Sequence, residues 1–299
     1  MAATTGAPTT PAPLGPNERK DKIGKYFVPT PDPMDRVTAI RMMQGAVAVL
    51  VFAGALALAG SLVLGVLAGV AAIGALLLPG WIKLGNYRLD HSRAEPKASD
   101  DQVDATLNED LVATAADALK RFELEARELD LHAEDVRPRS GGPDLRDPEG
   151  PLVLIAPTLK ARHRLGEDRH RRFSEYTVAV LCPGRHHLAV LTCELNVVTG
   201  KRAKNATFEY HYDHISAVHT KGGSGAELRL GAVPGFSTLP FSPSFLELEI
   251  AATGGASVVI PTEVRHTRGP LLTRPSTVER VLPALRRLLR REQRGDGQG

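Results

Sequence analysis

Four side chains able to ligate a metal or move a proton, His211, Asp213, His214 and His219, crowd into one short stretch of the chain. On an extended strand only alternate residues share a face, so His211 and Asp213 could act together while His214 points away. That spacing matches no zinc pattern, and His186-His187 beside a turn reads as exposed polar surface. No metal and no cofactor is therefore expected. A second candidate is basic. The stretch Lys160-Ala-Arg162-His-Arg164-Leu-Gly-Glu-Asp-Arg169-His-Arg171-Arg172 sets six cations against Glu167 and Asp168. Beside an anionic leaflet each such side chain contributes about 1 kcal/mol. Lys160, Arg162, Arg164, Arg169, Arg171 and Arg172 are accordingly the candidate lipid-binding residues, with a solvated, screened loop as the alternative.

No nucleophile elbow, H-E-x-x-H pair, Walker loop or dinucleotide fingerprint is present. Gly222-Gly-Ser-Gly225 lacks the lysine that a phosphate loop requires, and the carboxylates Glu247 and Glu249 fall on the wet face of a hairpin. No catalytic residue is identified, and the chain reads as non-enzymatic. An enzyme of unrecognised type using the His211–His219 region is the competing class. The net charge of +3 over 299 residues is too small to imply nucleic acid.

These groups must be held by elements, and hydropathy divides the elements sharply. From Gly45 to Leu78 there is no charge and one polar side chain, Ser61, whereas a spanning helix needs about 20 apolar residues. One straight helix over that run would reach about 51 Å, too long for a hydrocarbon core of ~30 Å. Two helices of roughly 17 residues, turning near Gly60-Ser61, fit better with local thinning. Arg36 and Arg41 precede the run, and Lys83, Arg88 and Arg93 follow it. Positive flanks at both ends predict a hairpin in the cell membrane with both ends cytoplasmic. Gly65-Val-Leu-Ala-Gly69 is a small-xxx-small spacing for helix packing, within the hairpin or in a homodimer. A structural subunit self-assembling through this segment is a further alternative.

Residues 1–35, holding seven of the 22 prolines by Pro33, are expected to be disordered, with the membrane hairpin and its basic flanks over 36–95. Residues 96–150 open on a helix with Ser99 and Gln102 as capping box, striped by Val103, Leu107, Leu111, Ala115 and Leu119, and end in a Gly/Pro-rich linker. From 151 to 292 the pattern is β-rich and then helical, and 293–299 is a tail. Predicted strands flank Pro183-Gly184-Arg185-His186, run through Phe208–Tyr212, Ile215–Thr220 and Ala226–Gly231, and pair Phe245–Ala251 with Ala256–Thr262 across Gly254-Gly255. With Pro183 opposite His186, Cys182 and Cys193 are too far apart to bridge. A C-terminal helix carries Val281, Leu282, Leu285, Leu288 and Leu289 on one stripe, beside Arg286, Arg287 and Arg290.

Seven strands in meander order before one amphipathic helix, with Phe208-Glu-Tyr-His-Tyr-Asp-His-Ile-Ser-Ala-Val218 and the Leu246–Ile260 hairpin, resemble the bacterial pleckstrin-homology-like (PH-like) modules found beside short membrane hairpins. The likeness covers roughly residues 174–292. It implies an α+β chain: transmembrane helical hairpin, helical spacer, and a seven-stranded bent antiparallel barrel capped by the C-terminal helix. It further implies a scaffold function, binding a protein partner or anionic lipid from the membrane bilayer. In lipid-binding relatives the basic residues sit between the first two strands, whereas here the basic stretch precedes the predicted barrel. Leu152–Ile155 is an apolar run with no assigned partner.

Overall fold

A computed structural model of the chain describes residues 14–131, 150–158, 161–223, 243–266 and 278–295. Contacts divide it into two compact units, residues 28–97 and a second unit made of what precedes and follows them.

The smaller unit is a helical hairpin. Its first leg is α2 (Pro33–Leu58; α1, Pro16–Tyr26, belongs to the other unit), started by Asp32, whose carboxylate accepts the Met34 N–H at 2.8 Å, with Pro33 pre-set for the first turn. The leg ends at Gly60, which takes φ +90° while Ser61 N–H reaches Leu56 O and Gly60 N–H reaches Ala57 O. This is a Schellman closure, and it satisfies the last carbonyls of the leg within the backbone itself. The turn expected near Gly60-Ser61 is thus the observed one. The second leg is one continuous helix, Leu62–Ala94, formed by α3 (Leu62–Ala72), a π-turn (Ile73–Leu77) and α4 (Leu78–Ala94). No residue from Met42 to Gly60 or from Ser61 to Ile82 is charged. At ~1.5 Å per residue these legs reach about 28 and 33 Å, matching a ~30 Å core without the thinning that two 17-residue helices would need.

Small residues fill the seam between the legs. Ala39, Ala46 and Ala53 recur every seven positions on α2, and Gly65, Ala72 and Gly80 recur on the second leg; all six are buried. The step from Ala72 to Gly80 is one residue too long for a heptad. The π-turn absorbs it, closing with Leu78 N–H on Ile73 O, so that Gly80 rather than Pro79 takes the seam position. A Cβ at Gly65 would lie 2.7 Å from Ala53 O, and one at Gly80 would lie 2.9 Å from Met43 Cγ. These are close backbone approaches of the kind membrane helices use for packing.

The larger unit is layered. Helices α1 (Pro16–Tyr26) and α5 (Asp100–Arg121) cover one face of an antiparallel sheet of order β1-β4-β5-β6. Its strands are β1 (Leu152–Pro157), β4 (Glu175–Pro183), β5 (His187–Asn196) and β6 (Lys201–His211). The opposite face packs on the sheet β7 (Ile215–Gly223), β8 (Pro243–Ala252), β9 (Ser257–His266) and on α6 (Val278–Gly295). A short ribbon, β2 (His163–Leu165) with β3 (Arg171–Phe173), is inserted between β1 and β4. Alternation does the sorting. Val153, Val178, Val180, Leu191 and Leu195 face Ile23, Tyr26, Leu107 and Leu111, while Leu152, Leu154, Leu181, Leu188 and Val190 face Leu248, Ile250, Ile260, Val281 and Leu285. Strands buried on both faces need apolar residues at consecutive positions, which is why Val178-Ala-Val-Leu-Cys182 has no polar break.

Four expectations are corrected. The strands number nine among the described residues, in three open, separate sheets rather than one seven-stranded barrel. The cause is local: a 3-10 turn, Tyr212–His214, ends β6 and hands the chain to the other sheet without a shared ladder. Leu152–Ile155 finds its partner as β1, with Leu152 opposite Leu181 and Ile155 opposite Val178; the basic stretch therefore lies between the first two long strands. Pro183 pairs with Leu188, not His186, and Cys182 with Ala189. That slip is even, so each side chain keeps its face, and both cysteines remain free and buried. Residues 16–26, inside the stretch expected to be disordered, form α1, whose Ile23 and Tyr26 are fully buried. The strand expected at Ala226–Gly231 lies outside the described residues.

The spacer helix α5 has the expected capping box: Ser99 Oγ accepts Gln102 N–H and Gln102 Oε1 accepts Ser99 N–H. Its stripe, Val103, Leu107, Leu111 and Ala118, packs on the sheet of the same unit.

Candidate functional site

The β2–β3 ribbon carries the basic candidates, and their environments separate them. Arg172 is 3% exposed. Its guanidinium donates Nε and Nη2 to the two oxygens of Asp104 at 3.0 and 2.7 Å, and Nη1 and Nη2 to those of Asp168 at 2.9 and 2.8 Å. Asp100 stands 3.5 Å from Nη1. Two bidentate pairs use the planar fork of arginine fully. Burial alone would lower the Arg172 pKa, but the Asp168 and Asp104 bonds outweigh it and hold the group firmly charged. The same Arg172 bonds push the Asp168 carboxyl well below the usual aspartate range.

The cluster extends to the helices. Tyr26, near the end of α1, donates its hydroxyl to Asp100 at 2.6 Å. Burial and that hydrogen bond raise the phenol pKa. Arg164 lies over the Tyr26 ring at 4.7 Å and donates Nη1 to Tyr26 O at 3.3 Å, a cation–π contact. Glu167 N–H closes the ribbon turn on Asp100 at 2.7 Å. A side chain at Gly166 has no room: its Cβ would fall on Arg172 Nη1 and within 2.7 Å of Asp168 Oδ1.

Of the six predicted lipid-binding residues, then, Arg172 and Arg164 are turned inward to α1 and α5. Arg171 is half-buried, and burial lowers its pKa. Arg162 and Arg169 are exposed, and Lys160 lies outside the described residues. Their ionic partners, Asp100 and Asp104, and the stacked Tyr26 carry no local signal, since 68 to 138 residues of sequence separate the contacting groups. Arg19 makes a second such lock. It donates Nε to Val197 O at 2.7 Å and Nη1 to Asp110 Oδ1 at 2.8 Å, with Nη2 on Asp110 Oδ2. Gly200, at φ +69°, leaves the space it occupies.

The histidines are placed differently from expectation. The 3-10 turn brings His214 to 5.9 Å from His211, ring to ring, and His187 sits across the ladder from His211 at 6.4 Å. His219 faces Glu249 at 3.2 Å on the other sheet. Among the described residues no three His, Cys, Asp or Glu side chains are placed to hold a metal ion. Burial pushes the Cys182 thiol up to about 12 and raises that of Cys193, so neither is an activated nucleophile.

In the hairpin, Gly65 packs inside the molecule against Ala53 and Ala57, and Gly69 faces Leu50. The largest apolar surface is here as well. Every exposed large apolar side chain among the described residues, except Val112, Leu165 and Val259, lies between Met34 and Leu89. Both legs are long and apolar enough to cross a membrane. Comparison of the chain with protein-family models, with curated protein sequences and with solved structures finds no match in any of the three.

Proposed function

We propose that this chain is a membrane-anchored, non-enzymatic interaction module, held in the cell membrane by a two-span helical hairpin and presenting a PH-like unit to a partner in the cytoplasm. The observation that carries the reading is the concentration of exposed large apolar side chains in residues 34–89, where all but Val112, Leu165 and Val259 of those among the described residues lie. Soluble surfaces do not leave patches of that size bare. Sidedness is supported by the chain path. Phe27 and Ala98, the residues flanking the hairpin unit, are both buried in the larger unit, and Ala98 N–H donates to Lys22 O at 3.2 Å. A segment that leaves and re-enters one folded unit crosses an even number of times. The flanking Arg36, Arg41, Lys83, Arg88 and Arg93 favour the cytoplasm for that side.

The PH-like reading is supported by strand order. Setting the β2–β3 ribbon aside, four strands and then three precede a C-terminal helix whose Val281, Leu285 and Leu288 close the inter-sheet core. The proposed partner is a protein or an anionic lipid. Sidedness is tested with single cysteines, since Cys182 and Cys193 are buried. Met34→Cys and Ser92→Cys, both at exposed positions, are expected to resist a membrane-impermeant maleimide in intact cells and to label after lysis. Labelling of either one alone in intact cells contradicts two spans.

A further inference from the structure

We infer that the base of the hairpin, not the β2–β3 ribbon, is the surface that recognises anionic lipid headgroups, through Arg36 and Arg41 on α2 and Lys83 and Arg88 on α4. The inference rests on the hairpin being a membrane anchor and names the lipid class that it reads.

Register sets the level of these groups. Gly80 lies against Ala39 and Met43, so Arg41 lies at the level of Trp81, where the uncharged legs begin. Trp81 is 57% exposed and amphipathic, the residue type that settles at headgroup depth. Beyond this level Lys83, Arg36 and Arg88 follow within about 12 Å of helix rise, a depth that long side chains bridge into a headgroup layer. On each helix the two cations are five residues apart and so point about 140° apart. Together the four surround the helix pair rather than lining one side.

Availability separates this collar from the ribbon. All four cations are exposed, and none has an ionic or hydrogen-bonding partner among the described residues. No acidic residue lies between Arg36 and Arg88; Asp35 and Asp90 bracket the collar, and Asp90 pairs with Arg93 at 3.6 Å. Arg172 and Arg164, by contrast, are engaged by Asp104, Asp168 and Tyr26. Unpaired cations directly above an apolar surface complement a phosphodiester layer and leave a choline headgroup, which bears its own cation, without advantage.

The test reconstitutes the full-length protein into nanodiscs of mixed phosphatidylcholine and phosphatidylglycerol, then extracts it with limiting detergent and measures the two lipids retained. Phosphatidylglycerol is expected to be enriched over its input ratio by roughly fivefold or more at low salt, and less so at high salt. Replacing the four collar residues by Gln should return the ratio to input, and each two-residue half of that change should lower it part-way. Arg162→Gln with Arg169→Gln should leave the enrichment intact. Retention by the wild-type protein at the input ratio overturns the inference, as does enrichment that survives collar neutralisation or vanishes with the ribbon variant. Failure of the wild-type protein to enter nanodiscs of either lipid would instead refute the anchor itself.

Discussion

Arg172 is the residue on which the larger unit's polar architecture turns. It is held between two carboxylates inside a layer where unpaired charge is costly, and Tyr26 and Asp100 extend the same network into α1 and α5. Arg172→Ala would leave Asp104 and Asp168 facing each other without a counter-ion. A loss of about 2–4 kcal/mol is expected, towards the lower end because Asp168 is partly exposed; thermal unfolding of the detergent-solubilised full-length protein reads it. Asp168 supplies a pH signature. Its pKa is lowered by Arg172 in the folded state, so its stabilisation is complete above the unfolded value of about 4 and is lost as pH falls from there towards the lower folded value. Asp168→Asn should flatten stability against pH below about 4, and an unchanged acid profile would contradict the pairing. Little of this was legible in the sequence. The Lys160–Arg172 stretch announced its charge, but which cations are neutralised depends on residues of α5 and α1 far away along the chain.

At the scale of elements, the hairpin seam makes the sharpest claim. Three alanines at heptad spacing meet Gly65, Ala72 and Gly80, and the π-turn ahead of Pro79 keeps the last of these in line. Gly65→Ile inserts a branched side chain where a Cβ alone would lie 2.7 Å from Ala53 O. The legs should separate, with a loss of about 1–3 kcal/mol in a mixed-micelle unfolding titration. Gly69→Ile, facing only the flexible end of Leu50 at 3.9 Å, should cost clearly less. Equal effects of the two would mean that the pair acts as one motif, as the Gly65–Gly69 spacing implies. Local chemistry made several elements readable beforehand: the Ser99–Gln102 cap, the Gly60 turn, and Leu248 and Ile250 alternating with Glu247 and Glu249. It failed where burial overrode composition. The proline-rich N-terminal region includes α1 because Ile23, Tyr26 and Phe27 gain a sheet to pack on, a gain invisible to any count over residues 1–35. The apolar run at Leu152–Ile155 is plain in the sequence, but its pairing with β4 leaps the whole inserted ribbon.

For the whole molecule, the layered unit and the hairpin follow different solvent rules. In the layered unit the large apolar side chains turn inward from the sheets and from α1, α5 and α6, leaving Val112, Leu165 and Val259 as its exposed large apolar groups among the described residues. In the hairpin the smallest side chains turn inward, and Val51, Phe52, Leu62 and Val63 turn outward at more than half exposure. That inversion is what a protein surrounded by lipid requires, since the apolar phase outside replaces the core. The division between a soluble part and a greasy run was plain in the sequence, from Gly45 to Leu78. The small-residue seam that makes two legs out of that run needed the structure. The central claim is that water is the wrong solvent for this outward surface. Sedimentation of the full-length protein from a detergent-free lysate, followed by an alkaline carbonate wash, tests it most directly: the protein should stay in the membrane pellet and be released only by detergent. Recovery as an unaggregated species in the supernatant would contradict it.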